Sequence, residues 1–316
     1  MTVLLATHRR ATEIDRVIDE LNARKIRFCR VNMAPGEGAF SAQLSNGRAK
    51  VTLSTDGGQF AIDEFTHGWY HQPALVEPKQ ISACKGASGE QAVLTSFSNG
   101  WEAVLEMAPV VWLNDARSVA EGSNKLRQLL AAVEVGLPVP TTVVGNLLSP
   151  AQRWLRGLPV VAKNLTSPHQ VWNTERTVSF VTKRTDLGNI GEHALAAVPV
   201  ILQHEVRPLR EHRVVVVCDQ VFSAAIPIDK RHGHVDVRLA PDSLRQYSKS
   251  LIEPTVKDQL IELMRRFKLN YCSADLIESD DGAWSFLELN TCGAWWWIDD
   301  IHAGSVTHAL TDFLSG

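Results

Sequence analysis

The sequence predicts a chain of mixed α/β and α+β class, with a parallel start and an antiparallel end. Three stretches carry that prediction. Thr2 to Thr7 is a short run rich in Val and Leu, Ala11 to Arg24 sets Ile14, Val17, Ile18 and Leu21 at helical spacing, and Ile26 to Val31 is strand-like again. A β-α-β order implies parallel strands joined by a right-handed crossover. At the other end, Tyr271 to Ile277 and the apolar run opening at Trp284 flank Ser279-Asp280-Asp281-Gly282, which has the composition of a hairpin turn.

Between these ends, Gln43 to Asp56 reads as short strands with turns at Asn46-Gly47 and Asp56-Gly57, and Gly68 to His71 ends a further strand before Pro73 and Pro78. Gly89 to Met107 is a long helix, and Val110 to Asn114 a strand. Asn124 to Val135 is a helix with Leu126, Leu129, Leu130 and Val133 on its apolar side, stopped by Gly136, Pro138 and Pro140. Thr141 to Asn146 is a strand, Ser149 to Arg156 a short helix, and Pro159 to Lys163 a strand that ends on a lysine. Asn164 to Arg176 is polar and irregular, the pattern of a mobile loop. Val198 to Val206, Val214 to Val217 and Val221 to Ile228 are strands, Pro254 to Phe267 is an amphipathic helix, and Ile301 to Leu314 closes the chain.

At 316 residues the length prior is about two domains, and 45% hydrophobic content is ordinary for a globular protein. A net charge of −3 gives no nucleic-acid or membrane-surface footprint. No apolar stretch approaches the roughly 20 residues of a membrane span, and the N-terminal run is too short for a signal peptide. The five cysteines are scattered without a C-x-x-C pair, the pattern of reduced, mostly buried thiols in a cytoplasmic protein. No G-x-G-x-x-G follows the first strand, which argues against a dinucleotide site there.

The chemistry concentrates in the last hairpin. Residues i and i+2 of a strand share a face, so Glu288 and Asn290 point the same way. If Glu278 pairs with Ala283, Asp275 lies opposite Phe286, with Glu288 as its diagonal neighbour roughly 7–8 Å away. Oxygen donors so placed suit Mg²⁺, which keeps waters and phosphates as its other ligands; a solvated hairpin fits the same residues. Lys125 opens a helix whose dipole it opposes, which calls for another partner, although a surface lysine reads as well. Arg210-Glu211-His212-Arg213 runs into a buried strand, and Asp229 to Arg238 is densely charged with His232 and His234, either an acceptor site or a solvated loop. Trp295, Trp296 and Trp297 form an aromatic cluster that core packing would also explain.

Taken together, two lysines in one unit, then Gln203-x-Glu205, then Glu211 and Arg213, then Asp275 and Glu288-x-Asn290 resemble the ATP-grasp superfamily over roughly residues 110 to 300. The resemblance implies that Lys125 and Lys163 contact ATP phosphates, that Gln203 and the backbone of His204, Glu205 and Val206 line the adenine, and that Glu211 meets the ribose. Arg213 would meet the terminal phosphate or acyl phosphate, and Asp275, Glu288 and Asn290 would bind Mg²⁺. The segments VLLATHRRATEIDRVIDELNARKIRFCRVN, VWLNDARSVAEGSNKLRQLLAAVEVGLPVPTT and FLELNTCGAWWWIDDIHAGSVTHAL look like the microviridin-type, or graspetide, maturases of ribosomal peptides. That likeness implies an ATP-grasp fold of an N-terminal α/β domain (1–118), a small central α+β domain (119–198) and a C-terminal α+β domain (199–316). It also implies ATP-driven ester or amide macrocyclisation of a precursor peptide whose leader is held mostly by the central domain. The sequence departs from the group at His71-Gln72, where arginines are usual, and at Thr291 to Trp295, where a Pro and a later Gly-Gln-Trp are usual.

Such chemistry brings two anions together, the substrate carboxylate and the γ-phosphate, and cations must offset their repulsion. Residues 164–176 are the lid expectation. Arg213, Asp236 and Arg238 are the candidate catalytic groups, the arginines for carboxylate binding and the aspartate for proton removal. Two other readings stand beside this one: an ATP-grasp ligase joining an amino acid or small peptide to an acceptor without a leader, and a catalytically silent peptide-binding module. A homodimeric state stays open.

Overall fold

A computed structural model describes residues 1–34, 36–72, 87–165, 169–173, 176–179, 182–227 and 247–316. The chain opens as expected with strand β1 (Thr2–Thr7), helix α1 (Ile14–Ala23) and strand β2 (Arg27–Asn32). An antiparallel sheet follows, β3 (Ala39–Ser45), β4 (Arg48–Thr55) and β5 (Gly58–Ala61). Asn46 and Gly47 both take positive φ in its first turn, the conformation that an Asn-Gly hairpin supplies at least cost. Strand β6 (His67–Tyr70), helix α2 (Ala87–Glu106) and strand β7 (Val111–Trp112) complete a parallel sheet in the order β2-β1-β6-β7.

Helices α3 (Ala116–Gly122) and α4 (Lys125–Glu134) lead to strand β8 (Thr142–Gly145) and helix α5 (Leu148–Trp154). Strands β9 (Val160–Asn164), β10 (His169–Asn173), β11 (Arg176–Ser179) and β12 (Lys183–Thr185), helix α6 (Glu192–Ala197) and strand β13 (Val200–His204) come next. β12-β9-β13-β8 form an antiparallel sheet over a small core of Ala151, Leu155, Val160 and Leu202. Two expectations are corrected here. Within 164–176, residues 169–173 are not irregular, because β10 pairs antiparallel with β11. In α4 the buried face is Gln128, Leu129 and Ala132, whereas Leu126, Leu130 and Val133 are exposed. The reason is that α4 must meet both a sheet edge and helix α7 (Pro254–Arg266), so its buried face is set by those neighbours and not by its apolar stripe.

The C-terminal sheet is built from β14 (Pro208–Val217), β15 (Gln220–Pro227), β16 (Ser248–Lys249), β17 (Tyr271–Ser279) and β18 (Trp284–Asn290), in the order β16-β15-β14-β17-β18. Helices α8 (Trp296–Ile301) and α9 (Ser305–Ser315) close the chain. Strand alternation divides β14 between two cores. Val214 and Val216 pack with Leu260, Leu263 and Met264 of α7. Val215 and Val217 pack with Val3, Leu5, Ile14, Leu21, Ile298 and Leu310. The parallel sheet and the C-terminal sheet therefore share one core, and each fully buried side chain in it contributes roughly 1.5–3 kcal/mol. Trp295 is fully buried there and Trp297 packs on its edge, while Trp296 stays 49% exposed, so the tryptophan cluster is only partly core.

One polar side chain links the two sheets. Buried Asn114 donates to the carbonyls of Tyr271 (2.7 Å) and Thr291 (3.1 Å) and accepts from the N–H groups of Asn270 (3.0 Å) and Tyr271 (3.1 Å). Asn114→Ala leaves buried backbone groups unpaired, and we expect it to lower stability by at least ~2 kcal/mol, read from the urea midpoint; an unchanged midpoint would contradict this role.

Candidate functional site

The odd-numbered face of β14 that carries Val215 continues upstream to Arg213 and Glu211, beyond the shared core. On this face β17 and β18 place Asp275 directly opposite Glu288, and Ser273 opposite Asn290. The expected register is corrected. Glu278 pairs with Trp284 and Leu276 with Phe286, and an extra residue, Leu287, bulges out before Glu288. A bulge shifts every partner beyond it, so the two carboxylates are direct neighbours instead of diagonal ones.

Cations surround this pair. Lys125 Nζ lies 2.8 Å from Glu288 Oε2, which supplies the partner that a lysine in a first helical turn needs. Arg213 Nη1 donates to Asp275 Oδ1 at 2.8 Å, and the Asn290 amide donates to Asp275 Oδ2 at 3.2 Å. Lys163 Nζ donates to Gln203 Oε1 at 2.8 Å, and the Gln203 amide donates to Thr142 Oγ1 at 2.9 Å. Burial lowers the Lys163 pKa below the ordinary lysine value, and the charge of Lys125 lowers it further, against the opposing pull of Glu288, Asp275 and Glu211. Burial pushes Glu288 upward, but Lys125, Lys163 and Arg213 more than offset it and hold its carboxyl below the usual range. Lys125, Lys163, Glu211, Arg213, Asp275, Glu288 and Asn290 thus converge on one cluster.

Other expected residues take defined places. His204, Glu205 and Val206 form the link from β13 to β14, with the His204 and Glu205 N–H groups donating to the carbonyls of Thr141 and Pro159, each at 2.8 Å. The Glu205 carboxylate is forked by Arg184 on β12, at 2.7 to 3.0 Å. Asp236 and Arg238, with the rest of Asp229 to Arg238, lie outside the described residues, as do 166–168 and 174–175 of the proposed lid. Burial pushes the Cys292 thiol up to about 11.

Sequence reading missed several supports. Glu13, at the start of α1, is buried and accepts from Gln72 Nε2 (2.8 Å) and from the Trp295 N–H (3.2 Å), and it is hydrogen-bonded to His71 Nε2 (2.7 Å). His71 and Gln72 are therefore engaged on a carboxylate that also anchors the turn after Asn290. In that turn Arg213 Nη2 reaches the Ala294 carbonyl (3.5 Å), its guanidinium lies over the Trp297 ring (5.9 Å), and the Tyr271 hydroxyl donates to the Gly293 carbonyl. Nothing in the local pattern around Glu13 marks it, because its partners are far along the chain. Ser273 was detectable, since it shares a face with Asp275; its hydroxyl is buried and, among the described residues, has no hydrogen-bond partner.

The donor set fits a hard cation in kind: two facing carboxylates and an amide. Among the described residues no group of three His, Cys, Asp or Glu side chains could hold a metal. Among the described residues no helix is long and apolar enough to cross a membrane.

No protein-family model matches this chain, and no curated protein does. Solved structures do match along its whole length. The macrocyclase MdnC bound with precursor peptide MdnA, from Microcystis aeruginosa MRC, is 22% identical, covers 99% of each chain and superposes with a TM-score of 0.85. A RiPP-associated ATP-grasp ligase from Chryseobacterium gregarium, in complex with ADP and a leader and core peptide, is 19% identical over 99% of this chain and 96% of its own, with a TM-score of 0.83. The macrocyclase MdnB from Microcystis aeruginosa MRC is 25% identical over 99% and 98%, with a TM-score of 0.74. Other solved neighbours are complexed with Mg and ADP. The fold is therefore ATP-grasp. Within that class, the full-length architecture is similar to that of the macrocyclases and the RiPP-associated ligase just named.

Gly293 marks how tightly this site is packed. A Cβ there would fall 1.8 Å from Ser273 Oγ and 2.6 Å from Arg213 Nη2. Gly293→Ala is expected to open the Arg213–Asp275 pair and to lower stability by ~1–3 kcal/mol; a crystal structure of the variant with that pair still at hydrogen-bond distance would contradict this.

Proposed function

We infer that this chain is an ATP-dependent carboxylate–amine or carboxylate–alcohol ligase that acts through an acyl phosphate and macrocyclises a ribosomally made, leader-bearing precursor. The observation that carries this reading is the convergence of Lys125, Lys163 and Arg213 on Asp275, Glu288 and Asn290. Similarity over 99% of this chain to macrocyclases bound to peptides favours it over leaderless ligation. The reading takes three units, 1–118, 119–198 and 199–316, working in the cytoplasm; a homodimer is compatible with it and is read by light scattering.

In this reading, a side-chain carboxylate of the precursor attacks the γ-phosphorus, the bond to the β-phosphate oxygen breaks, and ADP leaves. A hydroxyl or amine then attacks the acyl carbon, inorganic phosphate departs, and the proton of the nucleophile passes to the Asp236 carboxylate. Lys125 and Lys163 bind the phosphates, and Arg213 holds the carboxylate beside them, so the cations remove the repulsion between two anions. Gln203 orients Lys163, the 204–206 link borders the base, and Glu211 meets the ribose. Mg²⁺, held by Asp275, Glu288 and Asn290, supplies further neutralisation of phosphate charge. Asp236 and Arg238 are the acceptor-side groups of this reading.

Incubation with precursor, ATP and Mg²⁺ should remove the mass of one water per linkage, detected by mass spectrometry. Glu288→Gln should cut ATP turnover by ~100-fold or more with an unchanged circular dichroism spectrum; native-rate turnover would overturn the metal assignment. Lys163 yields a pH prediction. Because its pKa is lowered, its proton is lost at a pH below the ordinary lysine range, and ATP affinity of the free enzyme falls there as pH rises. Lys163→Arg keeps its charge, so the alkaline limb should move up; a limb that stays in place excludes Lys163 as the titrating group.

A further inference from the structure

Strand β18 is the outer strand of its sheet, so one side of its backbone faces away from β17. An open edge at this point would leave the chain between Glu288 and Asn290 without partners on that side. The edge is closed by a side chain. Gln128 of α4 accepts from the Leu289 N–H at 2.9 Å and donates to the Leu289 carbonyl at 3.0 Å, as a neighbouring strand would. It also donates to the Gly122 carbonyl at 2.6 Å, where α3 ends. Gln128 is 1% exposed, and it is the polar member of a buried face otherwise made of Leu129 and Ala132.

The same helix begins at Lys125, whose ammonium meets Glu288, the residue preceding Leu289. We propose that Gln128 is a positioning residue for the nucleotide site: its amide clamps α4 to the backbone of the metal-binding strand and so fixes Lys125 against Glu288. The proposal rests on the ligase reading above. The clamp acts on both sides of the site at once. It holds the strand segment that carries Glu288 and Asn290, and it sets the rotation and height of the helix that carries Lys125. A latch lies one turn upstream, where the Ser123 and Thr291 hydroxyls meet at 2.8 Å. That latch restrains the chain after Asn290 but reaches neither backbone group of Leu289, so it does not replace the clamp.

Mg-ADP binding to the full chain, measured by calorimetry, tests this. Loss of an outer support of a metal site costs roughly 10- to 100-fold in affinity, and we expect that loss for Gln128→Leu. Gln128→Glu retains an acceptor for the Leu289 N–H but loses the donor, and should show a smaller loss; it also serves if Gln128→Leu does not fold. Thr311→Ala, which removes a buried α9 hydroxyl that donates to the Thr307 carbonyl, controls for general destabilisation. In a Lys125→Met background the Gln128→Leu effect should be smaller, because the part that acts through Lys125 is already lost and coupled residues are not additive. Hydrogen exchange should show faster exchange of the Leu289 amide in Gln128→Leu. An unchanged Mg-ADP constant with a melting temperature lowered as in Thr311→Ala would make Gln128 a packing residue and overturn the proposal, as would an equal effect in both backgrounds. Failure of the wild-type chain to bind Mg-ADP would overturn the ligase reading itself.

Discussion

Two carboxylates stand directly opposite each other on neighbouring strands, and the rest of the site follows from that. Like charges so placed are destabilising, yet Asp275 and Glu288 are paired by backbone register and cannot move apart. The protein offsets the repulsion with Arg213 on one carboxylate and Lys125 on the other. A buried cation without a carboxylate would be equally costly, so neither half of the cluster is stable alone. A site built this way is poised to exchange charges. In the proposed ligase reading, phosphates would draw the lysines while a divalent cation would take the carboxylates.

Such an exchange needs a rigid frame, and the frame is made of groups distant in sequence. Val215 and Val217 join the C-terminal sheet to the core of the parallel sheet. Asn114 ties the end of β7 to β17 and to the chain after β18. Glu13 receives the Trp295 N–H from the other end of the molecule. Three polar side chains, Asn114, Glu13 and Gln128, fix the backbone on either side of the strand that carries Glu288 and Asn290. Buried amides and carboxylates with satisfied partners specify one geometry more strictly than apolar packing does.

The departures at His71-Gln72 and at Thr291 to Trp295 belong to this frame. His71 and Gln72 bind Glu13, and Thr291 meets Ser123. Both sets of changes lie beside the turn that Arg213 grips through the Ala294 carbonyl. Gly293 permits the approach, because any side chain there would collide with Ser273 and Arg213.

The sequence alone determined the periodicities: β1, α1 and β2, the turns at Asn46-Gly47 and Ser279 to Gly282, and the shared face of Glu288 and Asn290. These depend on neighbours within a few residues, which a linear reading sees directly. It also held the chemical inventory of the site, since the lysines, Arg213 and the acidic hairpin stand in a recognisable order. Tertiary structure alone decided the Asp275–Glu288 register, because one bulged residue at Leu287 leaves the composition unchanged. It decided which face of α4 is buried: Leu126, Leu130 and Val133 carry an apolar stripe, but the edge of β18 presents the Leu289 backbone, and Gln128 on the opposite side of the helix pairs with it. It decided the partners of Glu13 and Asn114, whose roles arise from chain crossings 58 to 282 residues apart. Local pattern records what a segment can bury, whereas unpaired backbone at a sheet edge is a debt that only the assembled fold reveals.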